Sequence, residues 1–106
     1  MKISIVISTN DSENSWNAFR FANFCIGKKE KVKVFLIGKG VEAEQVSNHQ
    51  FNIKEQMENF VSSKGEILAC GTCFQIRNSG GTELCLLSTM NDLYEMVKEA
   101  DKVVTF

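Results

Sequence analysis

The stretch Gly65-Glu66-Ile67-Leu68-Ala69-Cys70-Gly71-Thr72-Cys73 decides the fold, because a short apolar run ends there in a Cys-x-x-Cys pair. The run predicts a strand, and the small residues after it, followed by Phe74–Arg77, predict the start of a short helix. Free backbone N–H groups and the positive end of the helix dipole at such a junction favour a thiolate over a thiol. Since a thiolate is the form that attacks sulfur, Cys70 and Cys73 indicate redox or sulfur-transfer chemistry. A structural role stays open, because buried cysteines also serve as small apolar residues.

Strands and helices alternate on both sides of this junction. The first strand is rich in β-branched residues and ends at Thr9–Ser12, a turn that also signals the start of a helix. Alternation along the whole chain predicts one α/β domain, residues 1–106, with a parallel sheet and helices on its faces. Strands are predicted at residues 2–8, 32–37, 66–69, 83–87 and 102–106, helices at 13–26, at 53–63 and from Ser88 or Thr89 onward, and a polar loop with one helical turn at 41–51.

The first predicted helix is apolar around more than half of its circumference. Its polar residues form only a wedge, at Asn17, Arg20 and Asn23. A helix on the outside of a monomer needs only one apolar stripe. We therefore expect this helix to pack on the sheet and on a second surface, such as a neighbouring subunit.

Composition limits the classes of function. The chain has 106 residues, of which 43% are hydrophobic and 24% charged, with a net charge of −1. This charge gives no reason to expect nucleic acid or a membrane surface as a partner, and the apolar runs are too short to span a bilayer. Ile3–Ile7 is not expected to act as a secretion signal, because Asn10 and Asp11 interrupt the apolar run at once. We expect a cytoplasmic protein whose thiols stay reduced, with Cys25 and Cys85 in the core.

Three segments are predicted to meet beyond the carboxyl ends of the strands, where open parallel sheets gather ligands and reactive groups. They are Ser8–Asp11, Gly38–Gly40 and Cys70–Cys73. A thiol at this edge is accessible and electrostatically assisted. The edge is therefore the predicted site, with Cys70 and Cys73 as its reactive residues.

Four further side chains are weighed as additions to this site. Asn10, in the first of the converging segments, and Arg77, about one helical turn beyond Cys73, are the supporting residues. Arg77 adds positive charge near the sulfurs, or is simply a solvated surface arginine. His49, in the polar loop, is a candidate acid or base, although most loop histidines are only solvated. A strand beside the third strand also brings Cys85 within reach of Cys70.

Three other classes of site fit the sequence less well. A thioredoxin needs a cis-proline loop opposite its cysteine pair, and this chain has no proline. A structural zinc site needs four ligands, whereas Cys85 and His49 do not form a second pair with recognisable spacing. A flavin or nucleotide loop after the first strand lacks glycine throughout residues 8–15, so its backbone does not wrap a phosphate easily. We therefore expect no metal and no cofactor.

With these residues assembled, the chain resembles the DsrE/DsrF-like family, and most closely its small YchN-type members with a Cys-x-x-Cys pair. The resemblance covers nearly the whole chain, and the cysteine pair and the carboxyl-terminal strand are its most specific parts. It rests on the opening strand and aromatic-rich helix, on Val34-Phe35-Leu36-Ile37-Gly38, Gly40-Val41 and Asn52-Ile53-Lys54-Glu55-Gln56-Met57, on Cys70-Gly71-Thr72-Cys73 with Arg77, and on Ala100-Asp101-Lys102-Val103-Val104-Thr105-Phe106.

The resemblance implies a three-layer α/β/α fold on a parallel five-stranded sheet, flavodoxin-like in outline. It also implies homo-oligomers, trimers or hexamers, with the reactive cysteine near a subunit interface. Better-studied relatives carry sulfur as a cysteine persulfide on a residue similar in position to Cys70. Cys73 belongs to the paired-cysteine subset, where it either relays sulfur or closes a disulfide.

Two functional hypotheses follow. The leading one is a sulfur-relay protein that holds sulfane sulfur as a persulfide on Cys70 and exchanges it with donor and acceptor proteins, with or without a sulfurtransferase-like activity of its own. The alternative is a non-catalytic oligomeric binding or scaffold protein in which the cysteines are structural.

Overall fold

Five parallel strands form the central layer of the protein, and helices cover both of its faces. The computed structural model describes residues 1–106. The strands are ordered β4-β3-β2-β1-β5 in the sheet, and every neighbouring pair is parallel. The elements along the chain are β1 (Lys2–Ile7), α1 (Ser12–Gly27), β2 (Lys31–Leu36), a 3-10 helix (Gly38–Glu42), α2 (Ile53–Ser62), β3 (Glu66–Cys70), α3 (Gly71–Ile76), β4 (Leu86–Ser88), α4 (Met90–Glu99) and β5 (Lys102–Thr105).

Strand order explains why the fold has three layers. From β1 to β4 the chain steps across the sheet in one direction, so right-handed crossovers place α1, α2 and α3 on one face. From β4 to β5 it steps back past β1, so the same handedness places α4 on the other face. Consistent with this, α1 packs on α2, and α4 packs on β1. The predicted α/β/α fold is confirmed, and its strand order differs from that of flavodoxin.

The core lies between the sheet and the layer of α1 and α2. Ile5 pairs with Val34, and Val34 pairs with Ile67, so these three side chains form a row across β1, β2 and β3. All three are fully buried, as are Phe19 of α1 and Phe60 of α2, whose rings meet edge to face. Removing such apolar area from water stabilises the fold by about 25 cal/mol per Å². This row of side chains packs β1, β2 and β3 together, and the carboxyl ends of these strands form the candidate site described below.

Two helices begin at the caps that the sequence indicates. The side chain of Asp11 accepts a hydrogen bond from the Asn14 N–H at 2.9 Å, which starts α1. Thr89 caps α4 in the same way by accepting from the Asp92 N–H at 3.2 Å. Each cap satisfies a backbone N–H that has no partner inside its helix. The predicted starts of α1 and α4 are therefore confirmed to within a residue or two.

The surplus apolar surface of α1 is partly covered within the chain. Trp16 packs on Phe51, with ring centroids 5.4 Å apart, and Phe21 lies beside Phe106 at 6.3 Å. Phe24 remains 64% exposed. Thus only part of this surface is left for a second subunit. Neither α1 nor any other helix has the length and hydrophobicity needed to cross a membrane.

The region before β4 differs from the prediction. The strand begins at Leu86 and not at Glu83, because the chain before it is tied elsewhere: the Thr82 hydroxyl donates to Glu44 at 2.8 Å. Cys85 therefore precedes the strand, where it is buried as expected, and burial raises its pKa to about 12. The register pairs Cys70 with Ser88, so β4 does not place Cys85 opposite Cys70.

Gly40 is the position where the fold tolerates no side chain, and this predicts the cost of one substitution. A Cβ there would lie 2.0 Å from the carbonyl oxygen of Ile7, a backbone atom that cannot move aside alone. We expect Gly40→Ala to lower the free energy of unfolding by at least about 2 kcal/mol, measured by urea denaturation. Gly27→Ala is the control, since nothing lies within 4 Å of its Cβ. Equal stability of the two variants would contradict the predicted close approach.

Candidate functional site

The loops after β1, β2 and β3 meet at the carboxyl edge of the sheet, as the sequence predicts. The Ile37 N–H donates to the carbonyl of Ile7 at 3.0 Å, which joins the ends of β2 and β1. One residue later, the Gly38 N–H donates to Cys73 Sγ at 3.2 Å, which joins the end of β2 to α3. Gly38 has a φ of +58°, a left-handed conformation that favours glycine. The turn at Gly38 therefore directs a backbone donor at a thiol.

Cys70 is the inner thiol of the site. It ends β3 and is the residue before α3, with extended backbone angles. Only 6% of its surface is exposed, and its side chain makes no capping hydrogen bond to α3. The thiol is therefore shielded from solvent and remains free.

Cys73 is the outer thiol, one helical turn further along α3. It is partly exposed and free. Burial is the largest cause that raises its pKa, and a hydrogen bond with the Cys70 side chain raises it further. The Gly38 N–H and the charge of Arg77 act in the opposite direction but do not outweigh burial. At Cys73, burial therefore opposes the thiolate that the helix start is predicted to favour.

Arg77 lies at the end of α3 and is held on two sides. Its Nε donates to Glu42 Oε2 at 2.7 Å, and its Nη1 donates to the carbonyl of Cys73 at 3.0 Å. The side chain is three-quarters buried. Arg77 is thus part of the site and is not a freely solvated surface arginine.

Glu42 is the site residue that the sequence did not reveal. It ends the 3-10 helix and accepts hydrogen bonds from Arg77 and, at 3.4 Å, from Asn10 Nδ2. The bond from Arg77, followed by that from Asn10, holds the pKa of Glu42 below its ordinary value. Its only sequence signal is a carboxylate two residues beyond Gly40. Through Glu42, both predicted supporting residues, Asn10 and Arg77, reach the site.

Other candidates lie outside this network. His49 is exposed and forms no hydrogen bond or ion pair with the site. Cys25 and Cys85 are buried in the core. No group of three or more His, Cys, Asp or Glu side chains lies close enough together to hold a metal ion. The chemistry of the site therefore depends on Cys70, Cys73 and the groups around them.

A three-layer α/β fold with paired thiols at the carboxyl edge of a parallel sheet defines the class of this protein. The chain belongs to the DsrE/DsrF-like family, whose sequence model matches residues 1–106. It is similar to the uncharacterised protein MK0008 of Methanopyrus kandleri, with 34% identity over 112 residues covering 98% of this chain and 93% of the relative. It is also similar to the uncharacterised protein MJ0989 of Methanocaldococcus jannaschii, with 32% identity over 114 residues and full coverage of both chains.

Solved structures extend the comparison. The YchN protein of E. coli superposes with a TM-score of 0.88 at 25% identity, covering 100% of this chain and 99% of that one. BT1422 of Bacteroides thetaiotaomicron has a TM-score of 0.78 at 17% identity, with coverage of 99% and 94%. MTH1491 of Methanobacterium thermoautotrophicum has a TM-score of 0.78 at 9% identity, with coverage of 99% and 98%. At such low identity, the last two support the fold alone.

Glu42 gives the site a predictable response to acid. Because its pKa is lowered in the folded chain, the ionised carboxylate stabilises the fold above its ordinary pKa of 4.5, and this contribution is lost as the pH falls through the folded value. We expect Glu42→Gln to be less stable than the wild type at pH 7, with the difference shrinking in acid. Urea denaturation at pH 7 and at acidic pH measures this difference in the free energy of unfolding. Glu58→Gln, at an exposed residue without a hydrogen bond, is the control. A difference that persists unchanged in acid would contradict the ionic role of Glu42.

Proposed function

We propose that this protein is a sulfur-relay carrier that holds sulfane sulfur as a persulfide on the Cys70/Cys73 pair. The observation that carries the proposal is the pair of free, adjacent thiols at the carboxyl edge, one of which receives a backbone N–H at 3.2 Å. Membership of the DsrE/DsrF-like family supports it, because sulfur relay is associated with that family in general.

The chemistry is thiol–persulfide exchange. A cysteine thiolate attacks the outer sulfur of a donor persulfide, a new S–S bond forms, and the donor leaves as a thiolate. Cys70 suits the storage of the transferred sulfur because its burial keeps water and oxidants away from the persulfide. Cys73 then either takes the outer sulfur from Cys70, or attacks Cys70 Sγ, forming a disulfide and releasing hydrogen sulfide. Neither step needs an oxidant, but the disulfide that the second route forms must be reduced by an external thiol before the pair can load sulfur again.

The proposed partners are a sulfur donor protein, a sulfur acceptor protein and further copies of this chain. Apolar side chains that stay more than half exposed support self-association: Phe24, Ile76, Leu86, Leu87, Met90 and Tyr94. We propose a homotrimer or homohexamer in the cytoplasm, where four free cysteines stay reduced. Light scattering coupled to size exclusion measures the number of chains directly.

One feature favours the alternative, an oligomeric scaffold with structural cysteines. Cys70 is almost fully buried, and burial raises the pKa of Cys25, Cys73 and Cys85. Buried thiols with raised pKa values react slowly with external reagents. A scaffold would show slow reaction at all four cysteines, whereas a carrier must react at the pair.

Sulfur loading separates the two functions. We expect the wild type, incubated with inorganic polysulfide, to gain one sulfur atom per chain in intact-mass measurement, since a reactive thiol of the pair takes up sulfane sulfur. Cys70→Ser/Cys73→Ser should gain none. The matched control is Cys25→Ala/Cys85→Ala, which leaves the pair intact and should load like the wild type. Absence of loading in the wild type, or loading that survives loss of the pair, would rule out the carrier and favour the scaffold.

A further inference from the structure

We propose that the two thiols have separate tasks: Cys73 exchanges sulfur with other molecules, and Cys70 stores it. This inference rests on the proposed function and adds an order of transfer, from donor to Cys73 and from Cys73 to Cys70. The opposite order, in which the donor loads Cys70 directly, is the alternative that the structure disfavours.

The two thiols differ in their exposure to solvent. Exchange with a protein donor requires the sulfur to reach a second reactive sulfur in line with an S–S bond. Cys70 is 6% exposed, beneath the start of α3, whereas Cys73 is partly exposed on the same helix. A sulfur donor therefore meets Cys73 first, and direct attack by Cys70 requires a local opening of the structure around it.

The hydrogen bond from the Gly38 N–H to Cys73 also supports this order of transfer. In the internal transfer from Cys73 to Cys70, negative charge develops on the sulfur that leaves, which is Cys73 Sγ. The Gly38 N–H already donates to this atom at 3.2 Å, and the charge of Arg77 also favours its ionised form. A hydrogen-bond donor that is already in place before the charge develops needs no reorganisation. The Gly38 N–H and the charge of Arg77 therefore favour the departure of Cys73 as a thiolate, and burial is the effect that they must oppose.

The Glu42–Arg77 ion pair keeps that hydrogen bond in place. Gly38 begins the 3-10 helix that Glu42 ends, and Cys73 lies on the α3 helix that Arg77 follows. The 2.7 Å bond between the two charged side chains therefore joins the 3-10 helix to the end of α3. These are the same two elements that the Gly38–Cys73 hydrogen bond joins. The bond from Arg77 Nη1 to the carbonyl of Cys73 lies within the α3 segment and fixes the Arg77 side chain relative to Cys73. Glu42 and Arg77 are thus positioning residues for Cys73.

Both transfer steps balance without an oxidant or reductant. The Cys73 thiolate attacks the outer sulfur of a donor persulfide, an S–S bond to Cys73 Sγ forms, the donor's S–S bond breaks, and the donor leaves as a thiolate. The Cys70 thiolate then attacks the same outer sulfur, and its bond to Cys73 Sγ breaks. In each step, the proton lost by the attacking thiol is taken up by the departing thiolate. Discharge to an acceptor reverses the order.

Single-cysteine variants test the order of transfer. With inorganic polysulfide as the probe and rapid acid quenching, we expect Cys70→Ser to load Cys73 at the wild-type rate. Cys73→Ser should load Cys70 roughly tenfold more slowly or worse, because a buried thiol needs a local opening. Peptide mapping of the wild type should find sulfur on Cys73 at early times and on Cys70 later. Loading of Cys70 in Cys73→Ser at the wild-type rate would overturn the order, while absence of loading in every variant would overturn the carrier function itself.

The positioning role has a separate test, in the Cys70→Ser background. The charged group that acts on Cys73 is then Arg77, after α3. Glu42 on the 3-10 helix bonds to Arg77 and to the neutral Asn10 of the β1 loop, and Lys39 acts on Glu42. We expect Arg77→Gln to shift the pH profile of Cys73 alkylation by iodoacetamide toward alkaline pH, and Arg77→Lys to restore part of it. Arg20→Gln, on exposed α1 surface, should not shift it. An unshifted profile in Arg77→Gln would overturn the positioning role.

Discussion

The close approach of Gly40 to the carbonyl of Ile7 is the constraint on which the site depends. A Cβ on residue 40 would lie 2.0 Å from that oxygen. Only glycine therefore lets the segment after β2 fold over the end of β1. The hydrogen bond from Ile37 to the same carbonyl fixes the register of this approach. Gly38 lies between Ile37 and Gly40 in the chain, so these two contacts hold it where its N–H reaches Cys73 Sγ. The packing of the backbone at the ends of β1 and β2 thus sets the surroundings of the Cys73 thiol on α3.

Two opposing effects act on the pair of thiols, and their balance defines what the site does. Burial disfavours a thiolate, whereas the Gly38 N–H and Arg77 favour one, and at Cys73 burial is the larger effect. A protonated thiol is less prone to oxidation than a thiolate. In the proposed relay, the Gly38 N–H and Arg77 act mainly when negative charge develops on the sulfur of Cys73 during exchange. A carrier needs this combination, because it must keep its sulfur between partners and still release it.

The sequence predicts the parts of the structure that depend on local patterns. β-Branched runs predict the strands, Asp11 and Thr89 predict helix starts, and parallel topology predicts that the loops holding Asn10, Gly38 and Cys73 converge. It does not predict the role of Glu42, because an ion pair with Arg77, distant in the chain, leaves no local pattern. Nor does it predict the raised pKa of Cys73, since the helix start is visible in the sequence but the depth of burial is not. The sequence leaves strand order open, because strand order depends on long-range packing.

The hydrogen bond from the Gly38 N–H to the sulfur of Cys73 can be observed directly through the amide resonance of Gly38 in a ¹H–¹⁵N correlation spectrum. We expect Cys73→Ala to move the Gly38 amide proton upfield as its acceptor is lost, while Cys85→Ala, which removes a buried thiol elsewhere, should leave it in place. A Gly38 resonance that Cys73→Ala does not move, or that both variants move equally, would contradict the account.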